Sequence, residues 1–171
     1  EDSLYKVAGS RGTVVFVRDP ECPVSRRYGP RSAALAKSYK DKGIRFVFIY
    51  LNNNLGAEAL VQDAGRLQTD GTLVGRGSFV LADQLQVVST GDAFLLDAEH
   101  KLVYRGAIDD QYGFGYTRDA PTRNYLRNAM DALLKGVSIK VPATTAQGCV
   151  IDADPAKDSL FPNLPFDAQV S

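Results

Sequence analysis

The chain has no tryptophan, one methionine, one histidine and two cysteines in 171 residues. A single histidine excludes any site built from several, and two cysteines cannot make a four-cysteine structural zinc site. Twenty basic side chains against twenty acidic leave no net charge, so nothing here is an electrostatic footprint for nucleic acid or an anionic membrane. No run approaches the roughly eighteen apolar residues that a membrane span requires. What is present is ordinary for a globular domain. Apolar residues make up 44% and charged residues 23%, with length enough for one real hydrophobic core. No metal or other cofactor is indicated, and the chemistry left open is that of one or both thiols.

The chain begins at Glu1 without a signal-peptide core, so either a leader has been removed or this is a piece of a longer protein. Thr13 to Val17 is a β-branched and aromatic run expected as a buried strand. Cys22-Pro23-Val24-Ser25 then leads into a helix carrying Ala33, Leu35, Ala36 and Tyr39 and stopped by Lys42-Gly43. Ile44 to Leu51 reads as a second buried strand, and residues 57–67 as a helix with Leu60, Val61, Ala64 and Leu67 at helical spacing. The glycine-rich stretch 68–77 reads as loop, 78–81 as a short strand and 82–88 as an irregular or helical connection. Ala93–Leu96 and Leu102–Tyr104 flank a polar turn and predict a β-hairpin. Pro121-Thr122 is expected to open a last helix through Leu126, Met130 and Leu133, ending at Gly136. Beyond it the chain reads as a tail laid over the domain to about Ile151. Residues 1–151 are thus expected to form the domain, and 152–171 a loose tail or linker.

This order, strand–helix–strand–helix–strand–hairpin–helix, is a βαβ half joined to a ββα half. It predicts an α/β thioredoxin-like fold: a central mixed sheet flanked by helices. Cys22 stands at its first strand-to-helix turn, where unpaired amides and the positive end of the helix dipole favour thiolate over thiol. Arg26 and Arg27 in the first turn, with Arg18 just before it, are expected to add to that stabilisation, and Glu21 to oppose it. Pro23 suits a first helical turn because its missing amide proton is not needed there. Two readings of Cys22 stand: a reactive thiol, or a buried inert one.

The segment Phe16-Val17-Arg18-Asp19-Pro20-Glu21-Cys22-Pro23-Val24-Ser25-Arg26-Arg27-Tyr28 resembles the Cys-Pro-(Val/Ile)-Ser-x-Arg-Tyr signature of bacterial redoxin-domain proteins. These are relatives of alkyl hydroperoxide reductase and thiol-specific antioxidant proteins. The resemblance continues through Ala93–Asp97, Tyr104–Tyr112, Ala120–Thr122, Asp131–Gly136 and Thr144–Ile151. It implies a thiol-based redox protein acting on protein thiols and disulfides or on hydroperoxides. It also implies an extracytoplasmic place, periplasmic or secreted, and a fused or partner redox domain. Three departures matter. Ser25 stands where a dithiol oxidoreductase has its second cysteine, and a hydroxyl cannot resolve a mixed disulfide. Asp19 and Val15 replace the threonine and proline that peroxiredoxins carry before their cysteine. Gly91, in Thr90-Gly91-Asp92, stands where thioredoxin-like proteins usually have a cis-proline.

Cys149 follows Gly136 by thirteen positions, and an extended chain covers ~3.3–3.6 Å per residue, so on the order of 40 Å is within reach. That is enough to return across a small domain. A Cys22–Cys149 disulfide, structural or resolving a Cys22 sulfenate, is therefore expected beside the plainer reading of two independent thiols. The candidate catalytic residues are Cys22, Ser25 and Cys149, with the Ser25 hydroxyl bonded to the thiolate and Arg26 and Arg27 stabilising it. Pro23, Thr90, Gly91, Asp109, Asp110 and Tyr112 are expected to line a substrate groove, although the paired carboxylates read equally as turn caps. Copper chaperones of the Sco type share the expected fold and use two cysteines and a histidine. Here His100 belongs to the hairpin turn, which the topology puts at the edge opposite Cys22. The alternative to a redox enzyme is a binding module in which a structural disulfide holds the fold.

Overall fold

Val14, Val15, Phe16 and Val17 are all 0% exposed, which requires a strand covered on both faces. They form the centre of β1 (Gly12–Arg18) in a computed structural model that describes residues 10–67 and 72–151. Then follow α1 (Pro23–Lys40), β2 (Ile44–Tyr50), α2 (Ala57–Leu67), β3 (Thr72–Arg76), α3 (Phe79–Leu85), β4 (Ala93–Asp97) and β5 (Leu102–Gly106). Two short strands, β6 (Tyr112–Gly113) and β7 (Tyr116–Thr117), precede α4 (Tyr125–Lys135). The main sheet has the order β3-β2-β1-β4-β5. β1, β2 and β3 run parallel, whereas β4 is antiparallel to β1 and to β5.

Alternation along β1 and β2 divides the core in two. Val14, Phe16, Phe46 and Phe48 point to the face covered by Tyr28, Leu35 and Tyr39 of α1, Leu60 of α2, and Leu126 and Met130 of α4. Val15, Val17, Val47 and Ile49 point to the face covered by Phe79, Ala82 and Leu85 of α3. The expected mixed sheet with helices on both faces is therefore present.

The expected elements shift in three places. The third strand lies at Thr72–Arg76, inside the stretch read as loop, because β2 offers it a full parallel register from Phe46↔Thr72 to Tyr50↔Arg76. Sheet partners here outweigh the low strand preference of Gly75. Residues 78–81 are not a strand: the Ser78 hydroxyl accepts from the Leu81 amide at 3.1 Å and caps α3. The last helix starts at Tyr125 rather than Pro121 because Asp110 captures the amides of Thr122 and Arg123 in a turn of its own. Residues 68–71 and 152–171, the expected tail among them, lie outside the described residues.

After Gly136, which ends α4 at φ +68°, the chain returns over the domain. Arg105 donates its amide to the Pro142 carbonyl, and Thr144 donates to the Arg105 carbonyl, both at 3.0 Å. These bonds set one parallel bridge, Arg105 to Ala143, on the open edge of β5. The segment then crosses to residues 88–90, where Ser89 and Val150 form an antiparallel bridge and Ile151 packs against the α3-side core.

At the C-terminal end of β1, Arg18 is 3% exposed and its guanidinium forks onto Asp63 of α2, itself 2% exposed, at 2.8 and 2.9 Å. The Tyr50 hydroxyl donates to the same carboxylate at 2.7 Å. Removing one partner of a buried pair strands the other. Asp63→Ala is expected to cost about 3–5 kcal/mol in urea unfolding, whereas Val61→Ala, on the same helix but 72% exposed, costs under about 0.5 kcal/mol. A loss for Asp63→Ala no larger than that of Val61→Ala would contradict the assigned role.

Candidate functional site

Cys22 occupies the N-cap of α1, with extended backbone at φ −80° and ψ 121° and Pro23 directly after it. Its own amide donates to the Asp19 carbonyl at 3.2 Å, and its carbonyl accepts the first helical bond, from Arg26, at 2.9 Å. The sulfur therefore sits among amides that no upstream carbonyl satisfies. It is 2% exposed.

The return segment roofs it. The Thr90 amide donates to the Cys149 carbonyl at 3.0 Å, and the Cys149 amide donates to the Thr90 hydroxyl oxygen at 2.9 Å. The backbones touch so closely that a Cβ on Gly91 would stand 2.0 Å from the Gln147 carbonyl oxygen. Glycine at this position is thus a requirement of the approach, and among the described residues no peptide bond is cis. Upstream, Gly106 at φ +132° leaves room for Thr144, whose side chain would lie 2.2 Å from an added Cβ. The Thr144 hydroxyl accepts from the Ala107 amide at 2.8 Å and bonds the Tyr104 hydroxyl at 2.7 Å. Tyr104 in turn donates to the Ala107 carbonyl at 2.6 Å.

This approach brings Cys22 and Cys149, both free thiols, close enough for each to shift the other's titration. The covalent bond expected between them is not formed in this structure. Burial alone would raise the Cys22 pKa. The Cys149 thiol, the Thr90 hydroxyl and the amides of Ser25 and Cys149 outweigh it, so Cys22 titrates below the ordinary thiol range. Cys149 moves the other way. Its hydrogen is held by Cys22, burial adds to this, and the charges of Cys22 and Asp19 push it further, to about 11. The two thiols titrate as one interacting pair, with Cys22 shifted down and Cys149 shifted up.

Several expected roles change. Ser25 reaches Cys22 through its amide, not its hydroxyl. The hydroxyl oxygen is turned inward, accepting from the Asp19 amide at 3.0 Å and from Arg18 at 3.3 Å. No arginine is among the groups that dominate the thiolate: Arg18 is committed to Asp63, Arg26 is exposed, and Arg27 lies over the Tyr112 ring at 5.6 Å. Pro23 is exposed at the helix start. Asp109 is 1% exposed and accepts from Tyr28 at 2.7 Å, from Arg31, and from the Gln111 amide. Asp110 is held down to about 2, first by the Thr122 hydroxyl and then by the amides of Arg123 and Thr122. Both carboxylates are therefore turn-forming groups. They do border a cavity of about 180 Å³ with Tyr112, Thr144 and Gln147, whereas Pro23, Thr90, Gly91 and both cysteines do not line it. His100 is in the β4–β5 turn at φ +63°. Because Gly12 pairs with Asp97, that turn lies at the start of β1, and Cys22 lies past its end. Sequence reasoning passed over Thr144, Tyr104 and Gly106. The signal was a glycine ending a strand opposite a Thr-Thr pair, too common a pattern to interpret alone.

The opposed shifts fix a pH dependence. In reduced protein, thiolate absorbance is expected to rise in two separated steps, the first below the ordinary thiol range and the second near 11. Cys149→Ala removes a donor to Cys22 and moves the first step up. Between the folded Cys22 pKa and that of the unfolded thiol, the unfolded chain binds more protons. Reduced protein therefore gains stability as pH rises through that window. A single step at the free-thiol value would contradict the assignment.

No protein-family model and no curated protein matches the chain. Solved structures do. An uncharacterized conserved protein from Geobacillus kaustophilus is 26% identical, with a TM-score of 0.74 over 89% of this chain and 82% of that one. A hypothetical protein from Sinorhizobium meliloti 1021 is 28% identical, with a TM-score of 0.69 over 86% of this chain and 82% of the other. A thioredoxin-like protein from Aeropyrum pernix shares 13% identity and a TM-score of 0.55 over 78% and 81% of the two chains. The sheet order, the helix placement and these neighbours agree: the chain has the thioredoxin-like fold.

Proposed function

We propose that the protein is a thiol–disulfide redox protein whose couple is Cys22 and Cys149, a divergent relative of the redoxin-domain proteins whose second sulfur comes from the return segment instead of the helix. One observation carries this reading: two thiols distant in sequence meet with opposite pKa shifts. Ser25 removes the usual second cysteine, and Cys149 supplies a sulfur at the same thiolate. Oxidation joins the two sulfurs with loss of two protons and two electrons to a partner disulfide. Reduction by a partner dithiol reverses it.

Disulfide exchange is favoured over peroxide reduction by the residues around the sulfur. Asp19, standing where peroxiredoxins carry a hydroxyl, accepts from the Glu21 amide at 2.8 Å and from Asn52 at 3.1 Å. It presents a negative charge near the pair and no hydroxyl to a peroxide. An oxidising compartment outside the cytoplasm suits such a couple.

Turnover tests the reading. Kept reduced by a thiol buffer, the wild-type protein is expected to accelerate reduction of insulin disulfides, and Cys22→Ser and Cys149→Ser each to return the rate to background. Gly91→Ala, which retains both thiols but forces the Gln147 carbonyl away, is expected to lower the rate severalfold with the fold intact by circular dichroism. A Cys149→Ser protein as active as wild type contradicts the couple.

A further inference from the structure

The two sulfurs are unequal in access. Cys22 is 2% exposed, beneath the segment that carries Cys149, whereas Cys149 is exposed and followed by Val150 at 84% exposure. The roof is fastened on both sides of the sulfur. Thr144 is bonded to Ala107 and Tyr104, while Cys149 and Ile151 are bonded through their backbones to Thr90 and Val88. A protein partner cannot touch Cys22 without breaking these bonds, and it can touch Cys149 with all of them in place.

From this we infer that Cys149, not Cys22, is the sulfur on which protein thiols and disulfides exchange, Cys22 acting only within the molecule. The inference rests on the Cys22–Cys149 couple proposed above and assigns its direction. In the oxidised protein, a partner thiolate attacks Cys149 Sγ. The Cys22–Cys149 bond breaks, and its electron pair leaves on Cys22, where the Thr90 hydroxyl and the Ser25 amide receive the charge. The partner's second thiolate then attacks its own sulfur in the mixed disulfide. Cys149 leaves and takes a proton, and the partner departs as a disulfide. Two electrons pass in, and the roof never lifts.

The roof also defines the substrate class. Val150 and Val88, 84% and 57% exposed, flank Cys149, so a partner must bring a dithiol or disulfide on a surface with apolar neighbours rather than in a deep cleft.

The test traps the first step with a monothiol. Oxidised wild-type protein is given glutathione briefly, quenched in acid, alkylated and mapped. Glutathione is expected on Cys149, with Cys22 alkylated, in about tenfold excess or more over the reverse product, since reaching Cys22 requires broken hydrogen bonds. Glutathione on Cys22 overturns the inference. If oxidation leaves both cysteines alkylatable, the couple itself has failed, and single-cysteine proteins then decide the question of access alone. With glutathione disulfide, Cys149 in Cys22→Ser is expected to react about tenfold or more faster than Cys22 in Cys149→Ser. A faster Cys22 overturns it. Urea-unfolded protein, in which the two sites should react alike, shows that the difference belongs to the fold.

Discussion

The site depends on one close approach of backbone to backbone. Residues 143–151 lie against residues 88–91 and 105–107, joined by backbone bonds and by the hydroxyls of Thr90 and Thr144, and two glycines, Gly91 and Gly106, make the approach possible. Where the second half of a thioredoxin-like fold usually presents a proline, this chain presents a glycine filled by its own tail. The departure at position 91 is what lets the return segment lie against residues 88–91. On the proposed couple, the absence of a cysteine at Ser25 and the absence of a proline at position 91 are linked: the second makes room for the segment that carries Cys149.

Beneath this surface, the helix start that carries Cys22 is held by buried charge. Arg18 and Asp63 lock the end of β1 to α2, and Arg18 also reaches the Ser25 hydroxyl, which in turn receives the Asp19 amide. A guanidinium near a thiol reads at first as a thiolate stabiliser, yet its carboxylate partner consumes it. The thiolate rests instead on short-range donors: a thiol, a hydroxyl and two amides. Such stabilisation survives salt, because contact hydrogen bonds in a site shielded from water are screened far less than charges across solvent.

Much of this was legible in the chain itself. Both central strands, three of the four helices and the β4–β5 hairpin follow from hydrophobic period and from their stops, and the place of Cys22 follows from strand, turn and proline. The third strand was not legible, because Thr72–Arg76 is made a strand by its register with β2 and not by its own residues. The start of α4 was missed because Asp110, twelve residues away, captures the amides that would otherwise begin the helix at Pro121. Asp109 and Asp110 show the same limit: the turn-capping role was readable from their loop, but which donors hold them depends on groups that only the fold brings near. Reach alone allowed Cys149 to meet Cys22; its landing place required the shape of Gly91 and Gly106.

One measurement bears most directly on whether these thiols form a couple. Native protein equilibrated in an oxidising glutathione buffer, then blocked and digested without reductant, should yield a single linked peptide joining Cys22 to Cys149, with loss of both alkylatable thiols and full recovery of both on adding dithiothreitol. Two thiols that stay alkylatable throughout would contradict the account.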